Sequence, residues 1–538
     1  MAKFLKDIKT GLEARDKMLK GMNVLADAVG STLGPRSRNV AVDKAPDHDI
    51  PPVVLHDGVS VARSINLPDP HQDMGVRLLK GASIKTNEVA GDGTTTSTII
   101  AQALVNEAFK NITAGHNPML LKQQIEEATK LVIEELKKLA KPIKTDEEIE
   151  QVASISAADP AIGKLVAEAL KKVGEDGVIS IEEGTSFETT VTYKQGMEID
   201  RGYATTSPYF VTNGETVEAI IEDPYILLSD KKINYAYQLA PFLDKFIKET
   251  KSKNLVIFGA EILEEALQFL VVNKLRGGLN VVAVQAPAFG DRRIDELQDM
   301  AILTGGATIL EDAGRQIESV DITELGRADK VIVDRDKTVI LGGKGHKNAI
   351  GKRISDLREQ IKNANAPFDA DIKGERLAKL AGGVAVISVG GATEVEIKEK
   401  KERVIDAKNA TKAAIEEGIV AGGEIALLKV SDTIHICTDI ICTHESLGTK
   451  ILQEALKAPF KRLITNSGLD YAEIREKMSG HSYPEGIDVL DGQVKNLIEA
   501  GIIDPVKVAR SALENAVSIA VMVCTTDTLV TDYIPKDK

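Results

Sequence analysis

The spacing of apolar residues near the start of the chain predicts a long amphipathic helix. Met18, Met22, Leu25 and Val29 recur at intervals of four, three and four residues, which puts them on one face of a helix. A Gly-Pro pair ending at Pro35 marks the end of this helix. Such a stripe indicates a helix that packs against a core.

Short extended stretches separate this helix from three further ones. The stretches cover residues 39–42 and 53–55, and a His-Asp-Gly turn signal follows the second. The helices are predicted over residues 75–89, 94–111 and 118–139. The first part of the chain is therefore expected to be mainly helical.

The pattern changes in the middle of the chain. Apolar strands are predicted over residues 254–258 and 280–284, and they alternate with helices near 261–275 and 293–303. This alternation is typical of an α/β fold with parallel strands. From about Lys398 the pattern is helical again. We therefore predict a multidomain α and α/β chain whose two ends pack together and whose middle is inserted between them.

Composition narrows the classes of function. The chain has 538 residues, and its net charge of −14 argues against a nucleic-acid partner. The first residues contain no apolar signal core, and apolar stretches such as 516–524 are too short to span a bilayer. We expect a cytoplasmic protein with no membrane partner.

The three cysteines do not suggest a disulfide framework. Two of them, Cys437 and Cys442, lie with His435 and His444 in one short segment, as a zinc site would require. Their spacing matches none of the common zinc patterns, so ordinary thiols and surface histidines are the better interpretation.

The stretch from Gly91 to Thr98 is the most informative part of the sequence. Glycines flank Asp92, so the backbone can turn tightly, and a run of hydroxyl side chains follows at the predicted start of a helix. Free N–H groups and the helix dipole favour an anion there. The stretch predicts a phosphate site with Asp92 as the ligand of a Mg²⁺ ion. A helix that begins with threonine caps after a glycine turn is the alternative.

The chain contains no G-x-x-x-x-G-K-[ST] phosphate loop. The glycine-rich segment 342–347 lacks that spacing and is interpreted as a surface turn. A nucleotide site in this protein must therefore be of another kind.

Longer motifs extend over almost the whole chain. They are Thr32-Leu33-Gly34-Pro35, Asp57 to Arg63, Gly91 to Thr96, Lys379 to Val386, Glu416 to Gly423, and Asp504-Pro505. In their identity and order these motifs resemble those of the group I chaperonins, the bacterial and organellar 60-kDa type. The resemblance runs from Ala2 to about Pro535.

The resemblance implies three domains. Residues 1–138 and 417–538 would form an equatorial ATPase domain, 139–194 and 385–416 an intermediate hinge domain, and 195–384 an apical domain. It also implies two stacked sevenfold rings. Their cavity would enclose a non-native polypeptide under a co-chaperonin lid of the 10-kDa type.

The resemblance further implies ATP, Mg²⁺ and K⁺ as cofactors, with Asp92 holding the Mg²⁺. Gly93 to Thr96 would contact the phosphates, whereas Gly423 and Asp504 would contact the base and ribose side. The full set expected at the nucleotide is Thr32, Leu33, Gly34, Pro35, His56, Asp92, Gly93, Thr94, Thr95, Thr96, Gly423, Asp488, Val489 and Asp504.

Two carboxylates are implied in catalysis. Asp406 matches the family's catalytic carboxylate, and Asp57 matches a second one near the attacking water. Phosphoryl transfer to water needs an oriented nucleophile, and a carboxylate carried by a hinge would couple hydrolysis to conformation. Without the resemblance, Asp406 on its charged helix would be read as a solvated residue.

Apolar and aromatic residues of the middle segment fall at or near positions that bind non-native chains and the lid in the family. They are Tyr203, Tyr209, Phe210, Leu239, Phe242, Leu243, Leu267, Val271 and Val272. A groove of such side chains binds apolar segments by area, without reading their sequence. In an isolated α/β domain the same residues would be read as core.

The sequence departs from the family pattern near the nucleotide. His56 stands where the family usually has lysine, Ser37 replaces a glycine, and Asp488-Val489 replace a common Asn-Ala pair. A K⁺ site made of backbone carbonyls would survive the change at His56, whereas a role for the lysine charge would not.

The leading hypothesis is an ATP-driven folding chaperonin. A non-cycling scaffold that only holds polypeptides is the alternative; His56 and Ser37 motivate it, and the retained Asp57, Asp92 and Asp406 oppose it. A small-molecule phosphotransferase is a third possibility, for which the sequence shows no acceptor site.

Overall fold

The structure is a computed structural model that describes residues 5–43, 53–143, 145–157, 159–174, 177–184, 186–205, 208–214, 217–362, 367–441 and 446–532, with the backbone alone at 208, 264, 367, 368, 370, 371, 395 and 434–441. It divides into two compact units. The first comprises Met1–Glu168, Thr185–Phe187 and Val389–Lys538, and the second comprises Ala169–Gly184 and Glu188–Ser388.

The first unit is built mainly of helices. Those before the insertion are α1 (Gly11–Gly30), α2 (Gly58–Ser64), α3 (Pro70–Ala90), α4 (Thr94–Thr113), α5 (Pro118–Leu139) and α6 (Asp146–Ser156), and α7 (Pro160–Val173) leads into the second unit. Those after it are α13 (Glu394–Glu417), α14 (Ile425–Ile441), α15 (Leu447–Asn466), α16 (Tyr471–Lys477) and α17 (Val506–Thr525).

Short antiparallel strand pairs tie this unit together. Strand β1 (Lys6–Thr10) pairs with β22 (Thr528–Asp532), so the two ends of the described chain meet. The other pairs are β2 (Val40–Val42) with β3 (Val53–Leu55), β18 (Ile419–Ala421) with β21 (Ile503–Pro505), and β19 (Glu485–Asp488) with β20 (Gln493–Asn496).

The predicted stripe on α1 is the inner face of that helix. Met18, Met22, Leu25 and Val29 have no exposed surface and belong to the main core of the first unit. Burying side chains of this size is worth about 1.5–3 kcal/mol each. The helix runs from Gly11 to Gly30, longer than the stripe and ending before the predicted stop at Pro35.

Helix α17 supplies the centre of this core. Among the described residues it is the one helix long and apolar enough to cross a membrane by length and composition, with a mean hydropathy of 1.3 over its most apolar window. That window is 61% buried inside the unit, against helices α3, α4 and α5. The sequence analysis judged apolar stretches such as 516–524 too short to span a bilayer, whereas the helix that contains this stretch has 20 residues, and its apolar side chains serve the core.

The second unit contains an α/β sheet and two further sheets. Parallel strands β12 (Asn280–Gln285), β10 (Asn254–Gly259), β8 (Tyr225–Ser229) and β13 (Thr308–Ile309) lie in that order, with β14 (Gly326–Arg327) antiparallel to β8. An antiparallel sheet has the order β6 (Gly196–Ile199), β16 (Thr338–Leu341), β15 (Lys330–Val333), β7 (Ala219–Glu222). A three-stranded sheet has the order β4 (Val178–Glu183), β17 (Val384–Val389), β5 (Thr190–Lys194), with β17 antiparallel to β5. A small parallel pair joins β9 (Lys232–Ile233) to β11 (Glu261–Ile262).

The helices of this unit are α8 (Ala240–Thr250), α9 (Glu264–Leu275), α10 (Asp291–Thr304), α11 (Lys347–Lys362) and α12 (Pro367–Ala381). The predicted parallel pairing of residues 254–258 with 280–284 is confirmed by the register Asn254 to Asn280. The finer division of the chain into equatorial, intermediate and apical segments stays a prediction.

Candidate functional site

The turn between α3 and α4 has the tight geometry that its glycines predict. Gly91 ends α3 with a φ of 69°, and Gly93 precedes α4 with a φ of 79°, both in the left-handed region that favours glycine. Asp92 lies between them. The N-terminal end of α4 receives no side-chain cap, so its first N–H groups remain available to an anion.

The hydroxyl groups that follow this turn divide into two sets. Those of Ser97 and Thr98 donate to the carbonyl of Thr94 and are used within the helix. Thr95 Oγ1 lies 3.3 Å from Thr32 Oγ1. Because Thr32 already donates to a carbonyl of its own turn, Thr95 is the donor in that pair. The Thr95 side chain thus joins the start of α4 to the loop after α1.

Asp57 lies beside the same helix end. Its carboxylate caps α2 by accepting from the N–H groups of Ser60 at 2.8 Å and Val59 at 3.3 Å. Gly58 packs so tightly that a Cβ there would lie 2.3 Å from Thr95 Oγ1 and 2.9 Å from Thr94 Oγ1. The start of α2 therefore adjoins the start of α4.

Asp92 is oriented by two hydrogen bonds. It accepts from the Gly93 N–H at 2.6 Å and from the Ser156 hydroxyl of α6 at 3.2 Å. Burial raises the pKa of Asp92, and the neighbouring Asp57 raises it further against these hydrogen bonds. The side chain is thus a partly buried carboxyl group held in a defined direction.

Helix α13 packs directly on the turn that holds Asp92. A Cβ on Gly91 would lie 2.1 Å from the Cβ of Asn409, so only glycine allows this approach. One turn further along α13, Ala413 packs with Ala90 and Val508 in a small apolar cluster.

This packing brings Asp406 to the site. Burial raises the pKa of Asp406 well above its usual range, and the charges of Asp92, Asp57 and Glu402 add to the effect. The structure thus brings together the three carboxylates that the sequence analysis singled out from distant segments.

The sequence analysis did not select Glu424, which the structure puts beside these groups. Its Oε1 accepts from Thr96 Oγ1 at 2.6 Å, and burial with the nearby Asp504 and Asp92 raises its pKa to about 8. Burial, with a contribution from Asp92, also raises the pKa of Asp504 to about 7. The signal that could have revealed Glu424 is its position directly after Gly422-Gly423 in a motif already selected.

The charges that act on this cluster are negative. Asp57, Asp92 and Glu402 act on Asp406, and Asp92 acts on Asp504 and Glu424. Within the described part of the chain, no cationic side chain lowers the pKa of Asp92, Asp406, Asp504 or Glu424. A single carboxylate in such negatively charged surroundings suits Mg²⁺, which proteins commonly bind through one or two carboxylates together with phosphates and water.

The loop after α1 is held from the far end of the chain. Asn466 donates to the carbonyls of Leu33 and Gly30, each at 2.9 Å. Gly34 has a φ of 92°, and a Cβ there would clash with Leu463 at 2.2 Å. These contacts hold the stretch from Thr32 to Pro35 next to Thr95.

His56 lies near this loop with polar partners on both ring nitrogens. Nδ1 is 2.9 Å from Asn39 Oδ1, and Nε2 is 3.4 Å from Ser37 Oγ. Burial lowers the pKa of His56, and the nearby Arg403 lowers it further. His56 and Ser37, two of the departures from the family pattern, therefore lie in contact.

The remaining predicted nucleotide residues lie on the side of β18, β19 and β21. Gly423 has a φ of 64° and leads into Glu424. Asp488 accepts from Lys495 and from the Leu490 N–H, at 2.8 and 2.9 Å. Val489 is 7% exposed and packs in an apolar cluster, so its side chain is turned inward.

The nine predicted polypeptide-binding residues separate into core and surface in the second unit. Tyr209 and Val272 are 50% and 42% exposed, and Leu267 and Val271 are half-buried against the core. The core holds Tyr203, Phe210, Leu239, Phe242 and Leu243. For these five the structure favours the core interpretation that the sequence analysis set beside binding, because all five pack in one buried cluster with the strands of the α/β sheet.

Lys274 joins the exposed Tyr209 segment to α9. Its ammonium donates to the carbonyls of Phe210 at 2.7 Å and Val281 at 3.3 Å and lies 5.8 Å from the centre of the Phe210 ring. Burial lowers its pKa to about 8. The ammonium thus fixes the backbone beside Tyr209.

The sequence analysis also considered a His/Cys cluster and the remaining cysteine, Cys524. The cluster of His435, Cys437, Cys442 and His444 lies outside the described side chains. Among the described residues, no three histidine, cysteine or carboxylate side chains form a metal-binding group by themselves, so a Mg²⁺ ion at Asp92 would take its other ligands from phosphate and water. Cys524 is a free, buried thiol whose pKa burial raises to about 12.

Two crystal structures of one phage protein share this fold. They are of the chaperonin gp146 from the bacteriophage EL 2 (Pseudomonas aeruginosa) in the presence of ATP-BeFx, and both are 22% identical to this chain. Crystal form II matches with a TM-score of 0.72 over 97% of this chain and 98% of that one. Crystal form I matches with a TM-score of 0.64 over 98% and 99%.

A family profile also matches nearly the whole chain. The profile is that of the TCP-1/cpn60 chaperonin family, and the match covers residues 25–533. It confirms the identification made from the motifs and the multidomain α and α/β fold class. The chain belongs to the TCP-1/cpn60 chaperonin family.

Proposed function

We propose that this chaperonin captures non-native polypeptides on apolar surface and encloses them for folding, driven by ATP hydrolysis. The observation that carries the proposal is the convergence of Asp57, Asp92 and Asp406 at the N-terminal end of α4. Membership of the chaperonin family supports the chaperone function. The presence of ATP-BeFx with the phage chaperonin of the same fold supports a nucleotide ligand.

The phosphates of ATP would be bound at the start of α4. Gly93 and Thr94 to Thr96 offer N–H and hydroxyl donors there, and the helix dipole favours the anion. The residues we assign to the rest of the nucleotide are Thr32, Leu33, Gly34, Pro35 and His56 on one side and Gly423, Asp488, Val489 and Asp504 on the other.

Asp92 is assigned to Mg²⁺. The Gly93 N–H and the Ser156 hydroxyl orient its carboxylate, and the surrounding charges are negative. The ion, when bound, neutralises phosphate charge. A K⁺ ion is proposed at backbone carbonyls near His56.

Asp57 and Asp406 are assigned to hydrolysis. The N–H groups of α2 fix Asp57, so its carboxylate can orient a water molecule. Asp406 has a raised pKa, which suits a base that accepts the proton of that water. Because α13 carries Asp406, movement of this helix would switch hydrolysis on and off.

The polypeptide-binding surface is proposed around Tyr209 and Val272, with Leu267 and Val271 at its edge. Burial of client apolar area on these side chains would capture chains without sequence readout. Two stacked sevenfold rings, a 10-kDa co-chaperonin lid and a cytoplasmic location complete the proposal.

The test is steady-state ATP hydrolysis by the purified oligomer in Mg²⁺ and K⁺, run beside refolding of a chemically denatured client. Hydrolysis with ATP-dependent recovery of the client supports the proposal. Client binding without hydrolysis would establish the holding scaffold instead, an alternative favoured by the contact between His56 and Ser37. If the protein neither hydrolyses ATP nor binds the client, both the folding chaperonin and the holding scaffold are refuted.

A further inference from the structure

We infer that Glu424 competes with the nucleotide for the phosphate subsite, because its carboxylate holds a donor that a phosphate oxygen would need. The inference rests on the proposed ATP site. It makes Glu424 a residue that sets nucleotide affinity and not a ligand of the nucleotide.

The first observation is the hydrogen bond itself. Thr96 Oγ1 donates to Glu424 Oε1 at 2.6 Å, a short bond typical of a carboxyl acceptor. A threonine hydroxyl has a single proton to donate. Thr96 can therefore donate to a phosphate only after Glu424 releases it.

The second observation is the charge around Glu424. Its neighbours Asp504 and Asp92 are both acidic, and Glu424 forms no ion pair within the described part of the chain. In its ionised form Glu424 would also repel a phosphate, whereas its protonated form, favoured below the pKa of about 8, can still accept from Thr96. Glu424 is thus a third acid in surroundings that already carry negative charge.

The third observation is the backbone. Glu424 has a φ of 63°, in the left-handed region that residues with a Cβ rarely adopt, and it directly follows Gly423 at 64°. The chain thus carries a side chain where glycine would be accommodated more easily. Retained strain of this kind is found where a side chain has a function in the site.

The experiment measures binding of ATP, with Mg²⁺, and of adenosine to the full-length oligomer by calorimetry. Glu424→Gly should bind ATP about tenfold more tightly than the wild type, equivalent to about 1.4 kcal/mol. Its affinity for adenosine should stay unchanged, because adenosine has no phosphate. Glu424→Gln, which keeps the Cβ and the acceptor but removes the charge, should fall between the two.

A second comparison, made in the Thr96→Val variant, distinguishes competition for the donor from relief of backbone strain at Glu424. In Thr96→Val the donor is absent, so adding Glu424→Gly should increase ATP affinity much less than it does in the wild type. An equal gain in both backgrounds, or the same gain for adenosine, would overturn the inference. If the wild type binds ATP and Glu424→Gly binds it no more tightly, the inference fails while the ATP site stands. If neither protein binds ATP, the proposed site itself is wrong.

Circular dichroism and thermal unfolding verify that each variant is folded before its affinity is compared. Removing the side chain at a positive φ relieves strain, so Glu424→Gly is expected to fold at least as well as the wild type. Weaker ATP binding by a fully folded Glu424→Gly would also overturn the inference, since it would make Glu424 a contact of the nucleotide.

Discussion

Asn409 on α13 touches the backbone of Gly91, with 2.1 Å between the Asn409 Cβ and the position that a Cβ on Gly91 would occupy. Asp92 follows Gly91 directly, and Asp406 precedes Asn409 by one helical turn. This contact therefore sets how closely α13 brings the proposed catalytic carboxylate to the proposed metal ligand.

The first prediction concerns that contact. Gly91→Ala should slow ATP hydrolysis and reduce stability, because the new methyl group displaces α13 and the φ of 69° is unfavourable for alanine by about 1 kcal/mol. Gly115→Ala is the matched control, since its φ is 101° but nothing lies within 4 Å of its added Cβ. Equal loss of hydrolysis in the two variants would show that the contact with Asn409 does not matter.

The second prediction tests Asp406 itself. Asp406→Ala should still bind ATP but hydrolyse it about 100-fold more slowly or worse, because a positioned proton acceptor contributes about 10²–10⁴ in rate. Glu394→Ala, which removes a 79% exposed carboxylate from the first turn of the same helix, is the control and should retain most activity. Turnover near the wild-type rate in Asp406→Ala would remove Asp406 from the mechanism.

The third prediction concerns client capture. Val272→Ser and Tyr209→Ser should each weaken binding of a denatured protein about fivefold, the effect of about 1 kcal/mol of lost apolar burial. ATP hydrolysis should stay unchanged in both. Ile247→Ser, at a 41% exposed apolar position on α8 of the same unit, is the control. If it weakens capture equally, the surface around Val272 has no special role.

The fourth prediction uses the pKa of Lys274. Burial lowers this pKa to about 8, whereas the unfolded chain titrates near 10.5. Between these values the unfolded protein holds a proton that the folded protein has lost, so the free energy of unfolding rises with pH. From pH 7 to pH 10 the wild type should gain about 2 kcal/mol relative to Lys274→Met, allowing for partial solvent screening. If the free energies of unfolding of the wild type and Lys274→Met change with pH in the same way, the lowered pKa of Lys274 is contradicted.

The fifth prediction concerns a buried ion network in the second unit. Asp299 is 1% exposed and accepts from Arg353 and Arg376, at 2.6 and 2.8 Å. Asp299→Asn leaves two guanidinium groups without their buried counter-charge and should cost about 3 kcal/mol of stability in denaturant unfolding. Asp295→Asn is the control because its carboxylate, also paired with Arg376, is 49% exposed. Similar losses in both would show that burial does not determine the cost.

Much of the fold could be predicted from local pattern. The helix over 118–139 has the predicted bounds, because Pro118 is favoured at its first turn and Asn117 caps it. The parallel strands of the second unit were predicted from alternation with helices. The length of α17 was not predicted, because the apolar stretch 516–524 covers only part of that helix.

The sequence by itself determined the periodic elements, the glycine turn at Asp92 and the chaperonin motifs, because each depends on residues close together in the chain. Only the tertiary structure decided which of these features meet. Thr96 and Glu424 are 328 positions apart yet share a hydrogen bond, and no local pattern encodes such a pair. Likewise Val272 is exposed while Phe242 is buried, although both are apolar helix residues. Which face of a helix meets the sheet depends on packing of the whole unit, and that packing divides surface from core.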